Sequence, residues 1–130
     1  IPLVQKIDSR ATRELPVFIE VNVSNEDTKH GCSPADFSSI AEAVTASTHL
    51  KFAGLMTVGL NSSVEADVRR GYALLRELRD TAAQQLAIPA KQLELSMGMS
   101  HDLEWAIAEG ATIVRVGTAV FGARRLATRG

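Results

Sequence analysis

Four short apolar runs, each bounded by turn or polar residues, constrain this chain more than any other feature. They are Val17–Val23, Phe52–Val58, Leu93–Met97 and Ile113–Gly117, with helical periodicity in the stretches between them. Strand and helix in alternation predict βα units and a parallel sheet. A parallel sheet needs cover on both faces or closure into a barrel. A complete eight-stranded barrel takes about 250 residues, and this chain has 130. The expectation is therefore one domain over residues 1–130, about half of a barrel. Its two sheet edges would need a partner, either a missing N-terminal half or a second copy of the chain.

The helices carry start and stop signals. Ser33-Pro34-Ala35-Asp36 offers an N-cap serine, a proline at the first helical position and an acid three residues after the cap. Ser62-Ser63-Val64-Glu65 repeats that logic. The helix that follows puts Val64, Val68, Tyr72, Leu75, Ala82 and Leu86 near one stripe. Ser100 is expected to cap a further helix with Asp102 and Glu104 in its first turn and Gly110 at its end. An opening helix from Ile1 to about Arg13 is expected to close before Pro16, ahead of the first strand.

Composition excludes several classes. The formal net charge of -1 gives no reason to expect a nucleic-acid partner. Arg124, Arg125 and Arg129 form a short basic tail, read as a frayed terminus over about residues 124–130. The single Cys32 forms no intrachain disulfide and suits a reducing compartment. No apolar run approaches the roughly 20 residues of a membrane helix. The start Ile1-Pro2-Leu3-Val4 lacks the basic segment of a signal peptide. A cytoplasmic protein that begins partway through something larger is expected.

In parallel α/β folds, ligands gather where strands end. Those ends here are Asn22–Asn25, Met56–Val58, Ser96–Ser100 and Arg115–Thr118. The last two join strand to helix through Gly98 and Gly117, which allow close approach of a ligand, and through the hydroxyls of Ser100 and Thr118. Helix starts there would offer unpaired N–H groups to a phosphate, although Ser100 would be a good N-cap with or without a ligand. Arg115 interrupts an apolar strand. A buried arginine must be paired, so either Glu94 or Glu20 meets it across the sheet, or it lies beneath a ligand at the strand ends.

The segments Leu95–Asp102 and Glu109–Arg124, with Val21–Gly31 ending in Lys29-His30-Gly31 and with Gly54–Thr57, resemble the YggS/PROSC family, in order over nearly the whole chain. The resemblance implies an alanine-racemase-type (β/α)8 barrel, of which this chain would be strands five to eight. It implies binding of pyridoxal 5′-phosphate in cofactor homeostasis, without a well-established catalytic reaction. Carried over, Ser96, Ser100, Gly117 and Thr118 would hold the phosphate, and Arg115 would face the pyridine nitrogen. Asn22 and Met56 would line the pocket, and Lys29 matches a loop lysine near the site. The family's covalent lysine lies at the end of the first barrel strand, a segment absent here. Of Lys6, Lys29, Lys51 and Lys91, only Lys29 is expected to approach the site. His101 stands where the family commonly has an acid, and as a first helical residue it reads as a surface side chain.

Two other readings stay open. A pyridoxal-dependent racemase would need an acid-base residue opposite the lysine, and this half offers no candidate. A half-barrel that assembles through its edges and binds no cofactor would need only the sheet.

Overall fold

The computed structural model describes residues 2–24, 30–59, 62–115 and 123–125. In chain order these form α1 (Pro2–Arg10), β1 (Leu15–Glu20), α2 (Pro34–Ala46), β2 (Leu50–Met56), α3 (Glu65–Gln85), β3 (Glu94–Ser96), α4 (Leu103–Ala108), β4 (Ile113–Arg115) and β5 (Ala123–Arg125). Single 3-10 turns at Ala90–Gln92 and Ser100–Asp102 lead into β3 and α4. The sheet runs β1-β2-β3-β4-β5, the first three pairings parallel and the last antiparallel. The parallel βα rhythm is as the pattern predicts. The antiparallel strand is not. Ala123–Arg125, which includes the first two residues of the expected frayed tail, pairs with β4 from Ile113↔Arg125 to Arg115↔Ala123. Three residues with two arginines carry no alternation that a pattern could detect.

The strands begin earlier than the apolar runs suggest. Pro16 is the second residue of β1 and does not precede it. The Leu15 N–H donates to His49 O at 2.7 Å. The next N–H position faces away from β2, where a proline without a donor is harmless. Beyond Glu20, Val21 remains bonded to Met56 O through its N–H, and it bridges to Cys32 on its other side.

Helices pack on one face of the sheet. Their apolar stripes meet Ile19, Val21, Phe52, Leu55, Leu95, Met97 and Val114, all buried. Alternation then sends Phe18, Met56, Ser96, Ile113 and Arg115 to the opposite face. Strand β2 carries one extra residue there, because Val17 pairs with Phe52 and Phe18 with Gly54. Gly54 sits against Glu94 of β3 with no room for a side chain: a Cβ would run into the Glu94 carbonyl oxygen and lie 2.8 Å from Phe18 Cε2.

Helix ends follow the sequence unevenly. Ser33 caps α2 as expected, its hydroxyl accepting the Asp36 N–H at 3.2 Å. At α3 the expected box does not form. The cap is Val64, and Ser62 Oγ instead accepts the Val64 N–H at 3.0 Å. Val64 is left 51% exposed, off the buried stripe of Val68, Tyr72, Leu75 and Ala82. Helix α1 buries no residue. Its anchor is Asp8, whose carboxylate accepts the N–H groups of Thr48 (3.0 Å) and His49 (2.6 Å).

Helices α3 and α4 are stapled by Glu109, which accepts from Arg69 Nε and Arg76 Nη1, each at 2.8 Å. The Arg69 hydrogen bond, aided by Arg76 and opposed by burial, holds the Glu109 carboxyl below its ordinary value of 4.5. A group depressed on folding stabilises above its unfolded value, and that stabilisation is lost as pH falls through the folded one. Glu109→Gln is thus expected to cost about 1 kcal/mol at neutral pH. In urea titrations the deficit should shrink once pH drops below 4.5. An equal deficit at neutral and acid pH would show that the staple is not electrostatic.

Candidate functional site

The carboxyl ends of the parallel strands bring four of the expected site residues together. The sheet register aligns Glu20 with Met56, Met56 with Ser96, and Ser96 with Ile113. Met56 and Ser96 are therefore neighbours on the face away from the helices, and Arg115 lies two residues further along β4. Asn22 follows β1 on the same side as Glu20, next to Val21, whose N–H meets Met56 O at 2.9 Å. Its side-chain oxygen accepts the Ser24 N–H (3.1 Å) and hydroxyl (2.8 Å), which turns the chain at the rim.

Arg115 reaches across this end of the sheet. Its Nη2 donates to the Thr57 carbonyl at 2.9 Å, while its backbone N–H donates to Gly98 O at 3.0 Å. The partner found is thus a backbone carbonyl, where Glu20 or Glu94 had been one expectation. Thr57 was not foreseen. It is 2% exposed, and its hydroxyl donates to Val21 O at 2.7 Å, joining β1 to β2 where the strands end. A buried threonine after an apolar strand was the available signal.

The turn after β3 departs from the expected cap. Ser100 is exposed and opens a 3-10 turn whose cap is Met99. Asp102, 4% exposed, takes the Met99 N–H on Oδ1 at 2.8 Å, while its own N–H donates to Met99 O at 3.0 Å. That Met99 donor is therefore occupied from within the chain. Asp102 Oδ2 accepts the Tyr72 hydroxyl at 2.7 Å. Tyr72 is fully buried. Burial first, then the hydrogen bond to Asp102 and its charge, push the phenol well above its ordinary value of 10, against the opposing charge of Arg115. The sequence placed Tyr72 in the core stripe and Asp102 in a helix's first turn, without seeing that they meet. The signal was present: a tyrosine in an aliphatic stripe needs a partner for its hydroxyl.

Lys29, Gly117 and Thr118 lie outside the described residues. Lys51 and Lys91 line a cavity of about 670 Å³, with Glu14, Pro16, Phe52 and Glu94. That cavity opens at the amino-terminal ends of the strands, away from Ser96 and Arg115, as their positions ahead of strands predicted. Among the described residues there is no group of three or more His, Cys, Asp or Glu side chains able to hold a metal, and no helix long and apolar enough to cross a membrane.

The family described as "Alanine racemase, N-terminal domain" matches residues 2–125. The human protein named pyridoxal phosphate homeostasis protein is 39% identical, over 95% of this chain and 48% of its own length. The Aquifex aeolicus protein of the same name is 43% identical, over 95% and 54%. The chain thus spans about half the length of the curated relatives it matches. Among solved structures, an unknown protein from Bifidobacterium adolescentis superimposes with a TM-score of 0.83 at 43% identity, covering 92% of this chain and 49% of that one. PipY of Synechococcus elongatus with pyridoxal phosphate bound gives 0.69 at 32%, over 90% and 53%. Alanine racemase from Corynebacterium glutamicum gives 0.68 at 13%, over 88% and 31%, a likeness of fold alone. With four parallel strands and the helices between them in chain order, and a candidate site at the strands' carboxyl ends, the chain belongs to the alanine racemase N-terminal domain family, and within it resembles the pyridoxal phosphate homeostasis proteins.

Proposed function

We propose that this chain is a phosphate-gripping half of a pyridoxal 5′-phosphate-binding barrel that serves cofactor homeostasis and performs no catalysis of its own. The observation that carries this reading is the gathering of Asn22, Met56, Ser96 and Arg115 at one end of one sheet face, with the Arg115 guanidinium laid across the strand ends onto Thr57 O. The names of the human and Aquifex relatives and the cofactor bound in PipY support it.

These residues fit the group. Ser96 and Ser100, with Gly117 and Thr118, would hold the phosphate. Asn22 and Met56 would flank the ring. Arg115, a permanent cation, would stand by the pyridine nitrogen and keep it unprotonated. Bound pyridoxal phosphate supplies an electron-poor aldehyde on a pyridine ring. An unprotonated ring is a weak electron sink, which suits storage and delivery better than turnover. Among the described lysines, Lys51 and Lys91 sit at the other end of the strands and Lys6 is on α1, so none of these three is placed for covalent attachment. In this reading binding is non-covalent, with Lys29 the lysine to be tested.

Titration with pyridoxal phosphate should raise the melting temperature, and inorganic phosphate should compete. Ser96→Ala should weaken binding roughly tenfold, as expected for one lost hydrogen bond to a charged group. Borohydride reduction and peptide mapping should recover no specific lysine adduct. A specific adduct at Lys29 would overturn the non-covalent reading, and absence of any thermal shift would overturn the cofactor reading.

A further inference from the structure

Helix α3 reaches the turns beside the candidate site through Tyr72. Tyr72 is fully buried, and its hydroxyl donates to Asp102 Oδ2 at 2.7 Å; Asp102 Oδ1 in turn accepts the Met99 N–H at 2.8 Å. The same hydroxyl lies against Gly59, where an added Cβ would stand 2.9 Å from it. One phenol thus sits beneath the turns that follow both β2 and β3. The stretch held by Asp102, Gly98-Met99-Ser100, is the one that also accepts the β4 backbone, through the Arg115 N–H on Gly98 O. Backbone bonds from Thr112 N–H to Leu95 O (2.9 Å) and from Met97 N–H to Ile113 O (3.0 Å) tie β3 to β4 below the turn, and Asp102 ties the turn from the helix side.

A purely packing role would not require a tyrosine, because phenylalanine fills nearly the same volume. A buried hydroxyl donating to a buried carboxylate sets a direction as well as filling space. Through that carboxylate it fixes where the Met99 N–H points, and so how the Gly98–Met99 peptide is turned.

Resting on the cofactor reading above, we propose that Tyr72 is a positioning residue for the phosphate group: through Asp102 it holds the turn after β3 in the shape that receives a phosphate monoester, and it leaves affinity for the rest of the cofactor alone. Tyr72 touches no ligand in this scheme. Asp102 is the relay.

The test compares three probes, pyridoxal phosphate, pyridoxal and inorganic phosphate, against the full chain, Tyr72→Phe and Asp102→Asn. Affinities are measured by calorimetry, and amide exchange is followed at Met99 and Ser100. Tyr72→Phe should weaken pyridoxal phosphate and inorganic phosphate about tenfold, the order expected for one hydrogen bond lost beside a charged group. It should leave pyridoxal unchanged and speed exchange at Met99 and Ser100 but not in β1 and β2. Asp102→Asn keeps the side-chain volume and should act the same way, so it carries the test if the phenylalanine variant does not fold. Unchanged phosphate affinity in a folded variant would overturn the proposal, leaving the pair a stability element. Equal losses for pyridoxal and phosphate would overturn it too. A wild-type chain that binds none of the probes would remove the cofactor reading, and this proposal with it.

Discussion

Replacing Gly54 with alanine is expected to cost about 3 kcal/mol, the upper end of what overpacking a closed site costs. In urea, at a slope of about 1.5 kcal/mol per molar, the midpoint would fall by roughly 2 M. The reason is local and has no soft neighbour. The new methyl would collide with the Glu94 carbonyl oxygen and stand 2.9 Å from the Glu94 N, both backbone atoms of the adjoining strand. On its other side stands the Phe18 ring. Either β2 and β3 separate, or β2 twists and drags its bulge against β1. Separation would weaken the Gly54↔Glu94 to Met56↔Ser96 ladder, which aligns the two site strands. A measured loss below about 1 kcal/mol would mean that the sheet yields more easily than backbone contacts of this kind allow.

Gly98→Ala is expected to be nearly as costly to stability and more damaging to the site. Gly98 has φ of +107°, and a Cβ there would stand 2.6 Å from the Ala106 Cβ. Strain of a side chain at positive φ adds about 1 kcal/mol to an overpacking cost of about 2 kcal/mol. Because Gly98 O accepts the Arg115 N–H, displacing Gly98 also moves β4 at the level of the guanidinium. Pyridoxal phosphate affinity, measured on the folded protein, should fall by about tenfold or more. Adding Ala106→Gly removes the collision and leaves the φ strain, so the double variant should recover part of the lost affinity. A double variant no better than the single one would place the whole effect in the backbone strain.

These two glycines show how far the sequence could be read. The short apolar run from Phe52 to Val58, bounded by polar and turn residues, announced a strand. Nothing in Phe52-Ala53-Gly54-Leu55-Met56 announced that Ala53 would be the extra residue or that Gly54 would press on Glu94. Those depend on which strand lies alongside. Gly98 was singled out as a position where a ligand could approach the backbone, and the group found closest to it is Ala106. The parallel sheet and its site end were legible for the same reason, being consequences of local rhythm. The antiparallel β5 was not, since three residues carry no period. Asn22, Met56 and Ser96 were named through the family resemblance, and the sheet register brings them to one end of one face. The Arg115–Thr57 carbonyl bond and the Tyr72–Asp102 pair did not, because both join residues far apart in the chain through side-chain reach. Ser100 was misjudged as a cap for a related reason. The serine reading assumed an α-helical first turn, whereas the chain makes a 3-10 turn closed by the Asp102 carboxylate onto Met99.

The strand order, β1-β2-β3-β4-β5, is also the order of the chain. No strand has to be held open for a later one to insert, and none waits for a distant segment before it can pair. Each unit meets an edge already formed by its immediate predecessor. The loop entropy to be overcome at each parallel pairing is then that of a single βα connection. Growth of this sheet resembles the lengthening of a solenoid more than the closing of a doubly wound sheet, and assembly can advance one unit at a time from whichever pair forms first.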